Sequence, residues 1–223
     1  MVKPRIQETD EGFQDEVSVE SYDQLQRRLR DKGYIETDNI IESGIDAGLA
    51  LEVGPGPGYL GLEWLKKTGG TTLKGLEISR NMIEMATKNA EEYGLEDRIS
   101  FTLGDAQDMP FEDGTFDAVF SNGSLHEWEK PEKIFNEMYR VLKPGGRYFV
   151  SDLRRDINPL FRWLMKMSTK PKEIRPGLIS SIKAAYTKDE IEEMLADTDV
   201  EGYQVEKAIA GLMISGRKPG GSS

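Results

Sequence analysis

The residues best suited to chemistry are three acids and a set of alternating glycines, each placed at the end of a short apolar run. The run 49–53 leads into G-P-G-P-G, residues 54–58, and Glu52 stands two residues ahead of this loop. Glycine lets a backbone turn sharply and approach a ligand, and proline stiffens the loop. Two further acids, Glu77 and Asp105, follow the next apolar runs. Clustered carboxylates repel a pyrophosphate but suit a ligand with ammonium, sulfonium and hydroxyl groups.

Alternating strand and helix patterns must position these residues. The predicted strands are 49–53, 71–76, 99–103, 116–120, 147–151, 200–207 and 209–217, and the predicted helices are 19–30, 39–47, 60–67, 79–93, 131–142 and 188–196. This alternation predicts an α/β fold: a Rossmann-like, seven-stranded, mostly parallel sheet with helices on both faces and a final antiparallel strand. We expect a mobile leader over 1–19, one domain over 20–217 with a lid segment at about 153–186, and a flexible tail over 218–223.

Composition narrows the chemistry open to the chain. Its 223 residues carry a formal charge of -11, one histidine and no cysteine. Thiolate and imidazole metal clusters are therefore excluded, and we expect no metal. The negative charge disfavours a broad nucleic-acid-binding face, so no DNA partner is expected. The first residues lack an apolar run of signal-peptide length and no later run approaches transmembrane length, which predicts a cytoplasmic protein.

The glycine spacing indicates which nucleotide the loop would receive. Dinucleotide folds use G-x-G-x-x-G, in which the amino end of a helix faces a pyrophosphate. Here the run is G-P-G-P-G with an acid ahead of it. S-adenosylmethionine carries an ammonium, a sulfonium and ribose hydroxyls, and it therefore suits the acids better than a dinucleotide does.

Five segments in order resemble the class I S-adenosylmethionine-dependent methyltransferases, and most of all the group that includes the ubiquinone/menaquinone-biosynthesis methyltransferases. They are L-E-V-G-P-G-P-G from Leu51, G-L-E-I-S from Gly75, G-D-A-Q-D-M-P-F from Gly104, F-D-A-V-F-S-N-G-S-L-H from Phe116 and R-V-L-K-P-G-G-R from Arg140. The resemblance covers roughly residues 40–217. It implies a methyltransferase that uses S-adenosylmethionine and releases S-adenosylhomocysteine.

The resemblance also assigns a cofactor site, position by position. The assigned residues are Glu52, Gly54, Pro55, Gly56, Gly58, Glu77, Ile78, Asp105, Ala106 and Asn122. Glu52 and the loop 54–58 would hold the methionine part, and Asn122 would lie beside it, near the point where the methyl group leaves. Glu77 would accept the ribose hydroxyls, and Asp105 would accept the adenine amino group while Ala106 offers its backbone N–H. Glu77 departs from the family pattern, since many relatives carry Asp there, but one more methylene should be tolerated.

Methyl transfer mainly requires alignment and exclusion of water, although an oxygen or carbon nucleophile usually needs a base. The single histidine, His126, matches a histidine position common in this group and is the candidate catalytic base. The alternative is that it only orients a loop by hydrogen bonding. Tyr186 could face the substrate or simply pack against the lid.

The lid segment reverses the charge of the chain. Its eight Lys and Arg residues oppose only Asp156 and Glu173, so it carries +6 within a protein of -11, and it is also rich in large apolar residues. We expect it to receive a small, anionic and partly apolar acceptor through Arg154, Arg155 or Arg175. The alternatives are an interfacial helix that contacts anionic lipid, and a solvated helix that only balances the acidic body.

Other functions stay open at this point. The acceptor could instead be a protein, an RNA or a lipid quinone, although S-N-G-S replaces the [D/N]-P-P-[F/Y/W] run of adenine-N6 enzymes after the fourth strand. A module that binds S-adenosylmethionine without transferring its methyl group would need the same pocket. A nicotinamide dehydrogenase is disfavoured by the missing G-x-G-x-x-G.

Overall fold

A central sheet with helices on both faces dominates the computed structural model, which describes residues 3–7, 16–170 and 172–220. The strands are β1 Leu49–Val53, β2 Thr72–Glu77, β3 Ile99–Leu103, β4 Phe116–Asn122, β5 Leu142–Leu153, β6 Gln204–Lys207 and β7 Gly211–Arg217. The helices are α1 Glu16–Asp31, α2 Thr37–Glu42, α3 Tyr59–Lys67, α4 Arg80–Tyr93, α5 Pro131–Val141, α6 Pro159–Ser168, α7 Arg175–Ala184 and α8 Lys188–Ala196.

The strand order of the sheet is β3-β2-β1-β4-β5-β7-β6. Strands β1 to β5 pair in parallel, and β7 lies antiparallel between β5 and β6. The predicted fold class is thereby confirmed. The chain order reverses between β1 and β4, and in such sheets ligands bind outside the carboxyl ends of the strands at that point.

The sheet is buried on both faces, which explains why its central strands read as nearly continuous apolar runs. On one face, Phe116 and Val119 of β4 pack in a cluster with Phe135 of α5. On the other face, Phe120 of β4 meets Trp64 of α3, with ring centroids 5.6 Å apart. The two clusters fix the strands, and with them the loops at the carboxyl edge of the sheet.

Three predicted boundaries differ from the structure for local reasons. Helix 39–47 is shorter, because the chain leaves α2 at Glu42 and turns through Gly44 at φ +85°. Strand 200–207 begins only at Gln204, after Gly202 at φ +63°. Strand 147–151 is longer than predicted, because β5 begins at Leu142, which pairs with Phe116 across an irregularity in the register.

Parts of the predicted leader and tail lie outside the described residues, namely 1–2, 8–15 and 221–223. Residues 3–7 run along the end of α7, where the Ile6 N–H donates to the Lys183 carbonyl at 3.1 Å. Residues 16–19 form the first turn of α1. The lid segment folds as α6 and α7. Across the described residues, no helix is long and apolar enough to cross a membrane.

Candidate functional site

An open cleft lies at the carboxyl edge of the sheet and brings together segments that are distant in the sequence. Residues that line it come from the loop after β1, the ends of β2 and β3, the turn after β4, and helix α1. They include Gly54, Gly56, Glu77, Ile78, Asp105, Ala106, Tyr22, Ser124, Glu127, Trp128, Glu129 and Ile134. The charged side chains among the described lining residues are all acidic. The cleft therefore favours a cation and disfavours a pyrophosphate.

Positive backbone angles shape the glycine loop. Gly54 has φ +68° and Gly56 has φ +53°, a region that side chains strongly disfavour. A Cβ on Gly54 would collide with the Ser124 hydroxyl across the cleft. The Gly54 N–H donates to the Leu76 carbonyl at 2.9 Å, which ties the loop to β2. The loop thus leaves a backbone surface that a ligand can approach closely.

Glu77 joins this loop to the next element. Its Oε2 accepts the Gly56 N–H and its Oε1 accepts the Ser79 N–H, both at 3.0 Å. Burial raises the pKa of the Glu77 carboxyl, and the backbone N–H donors partly offset the effect. Each oxygen retains a further acceptor site, because a carboxylate offers about four in total. The side chain lies at the end of β2, where it can receive a pair of hydroxyls.

Asp105 and Ala106 lie in the turn after β3, and both line the cleft. Asp105 is exposed, and its Oδ1 accepts the Gln107 N–H at 2.8 Å. This bond holds the carboxylate over its own turn, and Oδ2 has a long 3.4 Å contact with the Gln107 amide. An exposed acceptor on a fixed turn suits an amino group of a ligand.

Glu52 is not among the residues that line the cleft. It is 2 % exposed, and its Oε2 is directed at Gly61 in α3. Burial, and then the nearby Glu77 carboxylate, raise the pKa of Glu52 to about 8. Burial therefore favours the protonated, uncharged form of Glu52, which does not contact the cleft directly.

Three other assigned cofactor residues also lie outside the lining. Gly58 is the N-cap of α3 at φ +85°, and Pro55 belongs to the same loop. The Asn122 Oδ1 accepts the Ser151 hydroxyl at 2.8 Å, which links the ends of β4 and β5. These residues shape the loop and the strand ends that surround the cleft.

His126 lies in the short 3₁₀ turn after β4, next to the cleft residue Glu127. Its Nδ1 lies 2.9 Å from both oxygens of Asp152, and its backbone N–H donates to the same carboxylate at 2.7 Å. Both side chains are buried. Asp152 ends β5 and was not singled out from the sequence. Its only local signal is an acid at a strand end, which is common for reasons unrelated to catalysis.

Helix α1 forms one wall of the cleft through Tyr22. The next residue, Asp23, is buried and accepts the Tyr59 hydroxyl at 2.8 Å and the Asn89 amide at 3.0 Å. Asn89 also donates to the Pro57 carbonyl at 2.9 Å. This network fastens α1 to the glycine loop, which is how Tyr22 is held beside it.

The three arginines predicted to meet a substrate do not line the cleft. Arg154 pairs with Asp156 at 3.3 Å. Arg155 is buried and donates to the Ala185 carbonyl, the Lys3 carbonyl and Glu190. Arg175 donates to carbonyls at the end of α6.

Tyr186 is half-buried against the core and also lies outside the lining. The Arg5 guanidinium stands 4.2 Å from the centre of its ring, and this guanidinium also donates to the His126 carbonyl at 2.9 Å. Burial raises the pKa of the Tyr186 hydroxyl. The structure therefore places Tyr186 beside the His126 turn, behind the cleft surface.

Comparison with known proteins shows which protein family the sequence matches. Residues 51–150 match the family described as a methyltransferase domain. The chain carries a methyltransferase domain. This domain is 37 % identical over 127 residues to the methyltransferase GfsG of Streptomyces halstedii, covering 56 % of this chain and 45 % of that protein. It is 32 % identical over 109 residues to the ubiquinone/menaquinone biosynthesis C-methyltransferase UbiE of Roseobacter denitrificans, covering 49 % and 44 %.

The matched region spans less than half the length of each of these curated relatives. Among solved structures, a proposed S-adenosyl-L-methionine-dependent methyltransferase of Methanococcus maripaludis is 27 % identical, with a TM-score of 0.74 and coverage of 94 % of this chain and 95 % of that one. A methyltransferase of Aquifex aeolicus, 18 % identical with a TM-score of 0.67, shares the fold. The predicted resemblance of the methyltransferase domain to class I S-adenosylmethionine-dependent enzymes is confirmed.

Proposed function

We propose that this protein is an S-adenosylmethionine-dependent methyltransferase whose acceptor is a small, partly apolar molecule. The observation that carries the proposal is the cleft itself, where the glycine loop, Glu77 and Asp105 meet at the point where the strand order reverses. The backbone at Gly54 leaves space that a Cβ would fill. The charged residues of the described lining are all acidic. Both features fit a cofactor with a cationic centre.

Each cofactor residue has a role that its contacts allow. The backbone at Gly54 and Gly56 would receive the methionine part, and Glu77 would accept the ribose hydroxyls beside Ile78. Asp105 would accept the adenine amino group. Glu52 would act from beneath the loop, because a cation bound nearby would favour ionisation of this carboxyl, which burial otherwise keeps protonated. Pro55, Gly58 and Asn122 would keep these groups in place.

His126 is the proposed general base. Asp152 holds its Nδ1 and favours the tautomer in which Nε2, 3.9 Å from the Glu127 Oε1, would take up a proton from an acceptor hydroxyl, amine or acidic carbon. S-adenosylmethionine supplies a methyl group that is already activated by the sulfonium charge. The protein then has to align the acceptor, keep water out and take up one proton.

The wall beyond Glu127 carries Trp128 and Ile134, which provide an apolar surface for an acceptor. An anionic acceptor stays a prediction from the sequence, because the guanidinium groups of Arg154, Arg155 and Arg175 are bound to other parts of the protein. The ubiquinone/menaquinone biosynthesis relative acts on a quinone precursor by its name, and a lipid-quinone acceptor would also use the apolar wall.

Calorimetric titration with S-adenosylmethionine, S-adenosylhomocysteine and NAD tests the cofactor. We expect binding of the first two and none of NAD; tight NAD binding with no response to the sulfonium would overturn the proposal. Methyl transfer from labelled cofactor into a metabolite extract tests the activity. Cofactor binding without transfer to any extract, protein or RNA fraction would instead indicate a module that only binds S-adenosylmethionine.

A further inference from the structure

Helix α6 is unusual among the helices described because it has no buried residue. Four of its large apolar side chains are about half exposed or more: Leu160 at 66 %, Trp163 at 56 %, Leu164 at 48 % and Met167 at 50 %. Their spacing of three, four and seven residues places them on one stripe of the helix. Phe161 and Met165, which are half-buried, lie on a different side. The exposed stripe is therefore a second apolar face that the rest of the chain does not cover.

Two cations of α6 lie to one side of this stripe. Arg162 and Lys166 are exposed and lie one turn apart, with Lys166 next to Trp163 of the stripe and Arg162 farther round the helix. Beside them, a shallow pocket between α6 and α7 is lined by Lys166, Lys172, Arg175 and Lys183, with no acid among its described lining residues. Where side chains are described, no acid forms an ion pair with Lys166 or Lys183.

We infer that α6 and this basic pocket form a docking surface for an anionic lipid membrane. A stripe of Leu, Trp and Met can enter the boundary between headgroups and acyl chains, while the flanking cations meet lipid phosphates. Trp is suited to this boundary because its ring is apolar and its N–H is polar. The basic pocket adds a site at which one headgroup phosphate can be bound by several donors.

The charge distribution of the protein determines which face it would turn toward an anionic membrane. The lid carries +6 in a chain of -11, so an anionic surface repels the body and attracts only the α6 face. Helix α7 packs both on α6 and on the turn that contains His126. The docked face is therefore connected to the proposed catalytic turn through a single helix.

Tryptophan fluorescence gives a direct test, because Trp64 and Trp128 are buried and Trp163 is exposed. With vesicles of phosphatidylcholine and phosphatidylglycerol, we expect co-sedimentation, a blue shift of emission and weaker quenching by acrylamide. Vesicles of phosphatidylcholine alone should bind weakly, and added salt should weaken binding to the anionic ones. Trp163→Phe should keep the co-sedimentation and lose the blue shift.

Variants distinguish the contribution of the basic pocket from that of the apolar stripe of α6. Neutralising Lys166 and Lys183 to Gln should lower the vesicle partition coefficient roughly fivefold for each cation. Leu160→Gln with Leu164→Gln should also reduce it. The matched controls are Lys88→Gln with Lys133→Gln, two exposed lysines elsewhere, and Ile209→Gln, an exposed apolar residue far from α6 in the sequence.

Four results would overturn the inference. The first is no co-sedimentation with anionic vesicles at low salt. The second is binding that the α6 variants and the control variants alter equally. The third is a concentration-dependent dimer that the Leu160/Leu164 variant abolishes, since the stripe would then be covered by a second copy. Binding of inorganic phosphate in the basic pocket without vesicle binding would likewise show a small-anion site rather than a membrane surface. Cofactor affinity, measured in the same variants, should not change, so a failure here is distinguishable from a failure of the proposed methyltransferase function.

Discussion

The imidazole Nδ1 of His126 lies 2.9 Å from both carboxylate oxygens of Asp152, a residue at the end of the neighbouring strand β5. The carboxylate also accepts the backbone N–H of His126, so both the ring and the turn that carries it are held by one side chain. A carboxylate at Nδ1 stabilises the tautomer in which Nε2 is the acceptor. This pairing fixes the orientation of the imidazole ring.

Replacing Asp152 with Asn should lower kcat by roughly 100-fold, the lower end of what general-base catalysis contributes. The amide can donate to Nδ1 and so favours the tautomer in which Nε2 already carries a proton. Steady-state kinetics and cofactor titration measure the effect, with His126→Ala as the reference for complete loss of the base. If His126 only fastens the loop, Asp152→Asn will lower the melting temperature while kcat stays near that of the native protein.

The sequence predicted His126 but not Asp152, and the reason is geometric. A single histidine is conspicuous in a chain that contains one. Asp152 lies 26 residues away and meets it only because β4 and β5 are neighbours in the sheet, with Asn122 paired to Ser151. Strand patterns predict that strands exist, but they do not give the register that brings two strand ends together.

Removing the Glu77 carboxylate should weaken cofactor binding by roughly 10- to 100-fold, which corresponds to the loss of charge-assisted hydrogen bonds. Glu77→Ala also frees the Gly56 N–H, so part of the loss would come from the loop. Asp105→Ala should have a smaller effect, because that carboxylate is exposed. Calorimetry with S-adenosylhomocysteine measures both, and Asp108→Ala, an exposed acid three residues along, is the control. Unchanged affinity in both variants would refute the assigned site.

A comparison of Gly54→Ala with Gly70→Ala distinguishes the steric effect of a methyl group in the cleft from the cost of a left-handed backbone. Gly54 and Gly70 have nearly equal angles, φ +68° and +69°, but a Cβ on Gly70 meets nothing within 4 Å. Both variants should lose about 1 kcal/mol of stability from the left-handed backbone. Only Gly54→Ala should also lose cofactor binding, because its methyl group would collide with Ser124 and fill the cleft. Chemical denaturation and cofactor titration of the pair test this, and equal cofactor affinity would show that the cleft tolerates the methyl group.

Arg5 fastens residues 3–7 to two parts of the proposed acceptor side. Its guanidinium donates to the carbonyls of Ala184 and His126 and lies over the Tyr186 ring. We expect Arg5→Ala to raise KM for the acceptor and to leave cofactor affinity unchanged, because these contacts lie outside the cofactor lining. Arg5→Lys should restore the ring contact in part but not the two carbonyl bonds. An equal loss of cofactor and acceptor binding would indicate general destabilisation instead.

Glu52, the acid ahead of the glycine loop, shows that a sequence motif does not determine the direction of a side chain. Glu52 was assigned to the methionine part of the cofactor from its place ahead of G-P-G-P-G. The structure directs it under α3, because alternate residues of β1 face opposite sides of the sheet and Glu52 shares its side with Gly61. A motif gives the order of residues along the chain, whereas the helix packed on the strand decides which side chains reach a ligand.

Burial of Glu52 predicts how the free energy of unfolding of this protein changes with pH. Its folded pKa of about 8 exceeds the ordinary carboxyl pKa of 4.5, so the folded protein keeps a proton that the unfolded chain releases. The contribution of Glu52 to stability is therefore fully present below pH 4.5 and is lost as the pH rises to about 8, by about 1.4 kcal/mol per pH unit. Glu52→Gln should flatten this decline and be more stable than the native protein at pH 8. Urea unfolding of both proteins across this range measures the difference, with the exposed Glu96→Gln as a control that should follow the native curve. Parallel curves for Glu52→Gln and the native protein would mean that Glu52 is ionised in the folded state at neutral pH.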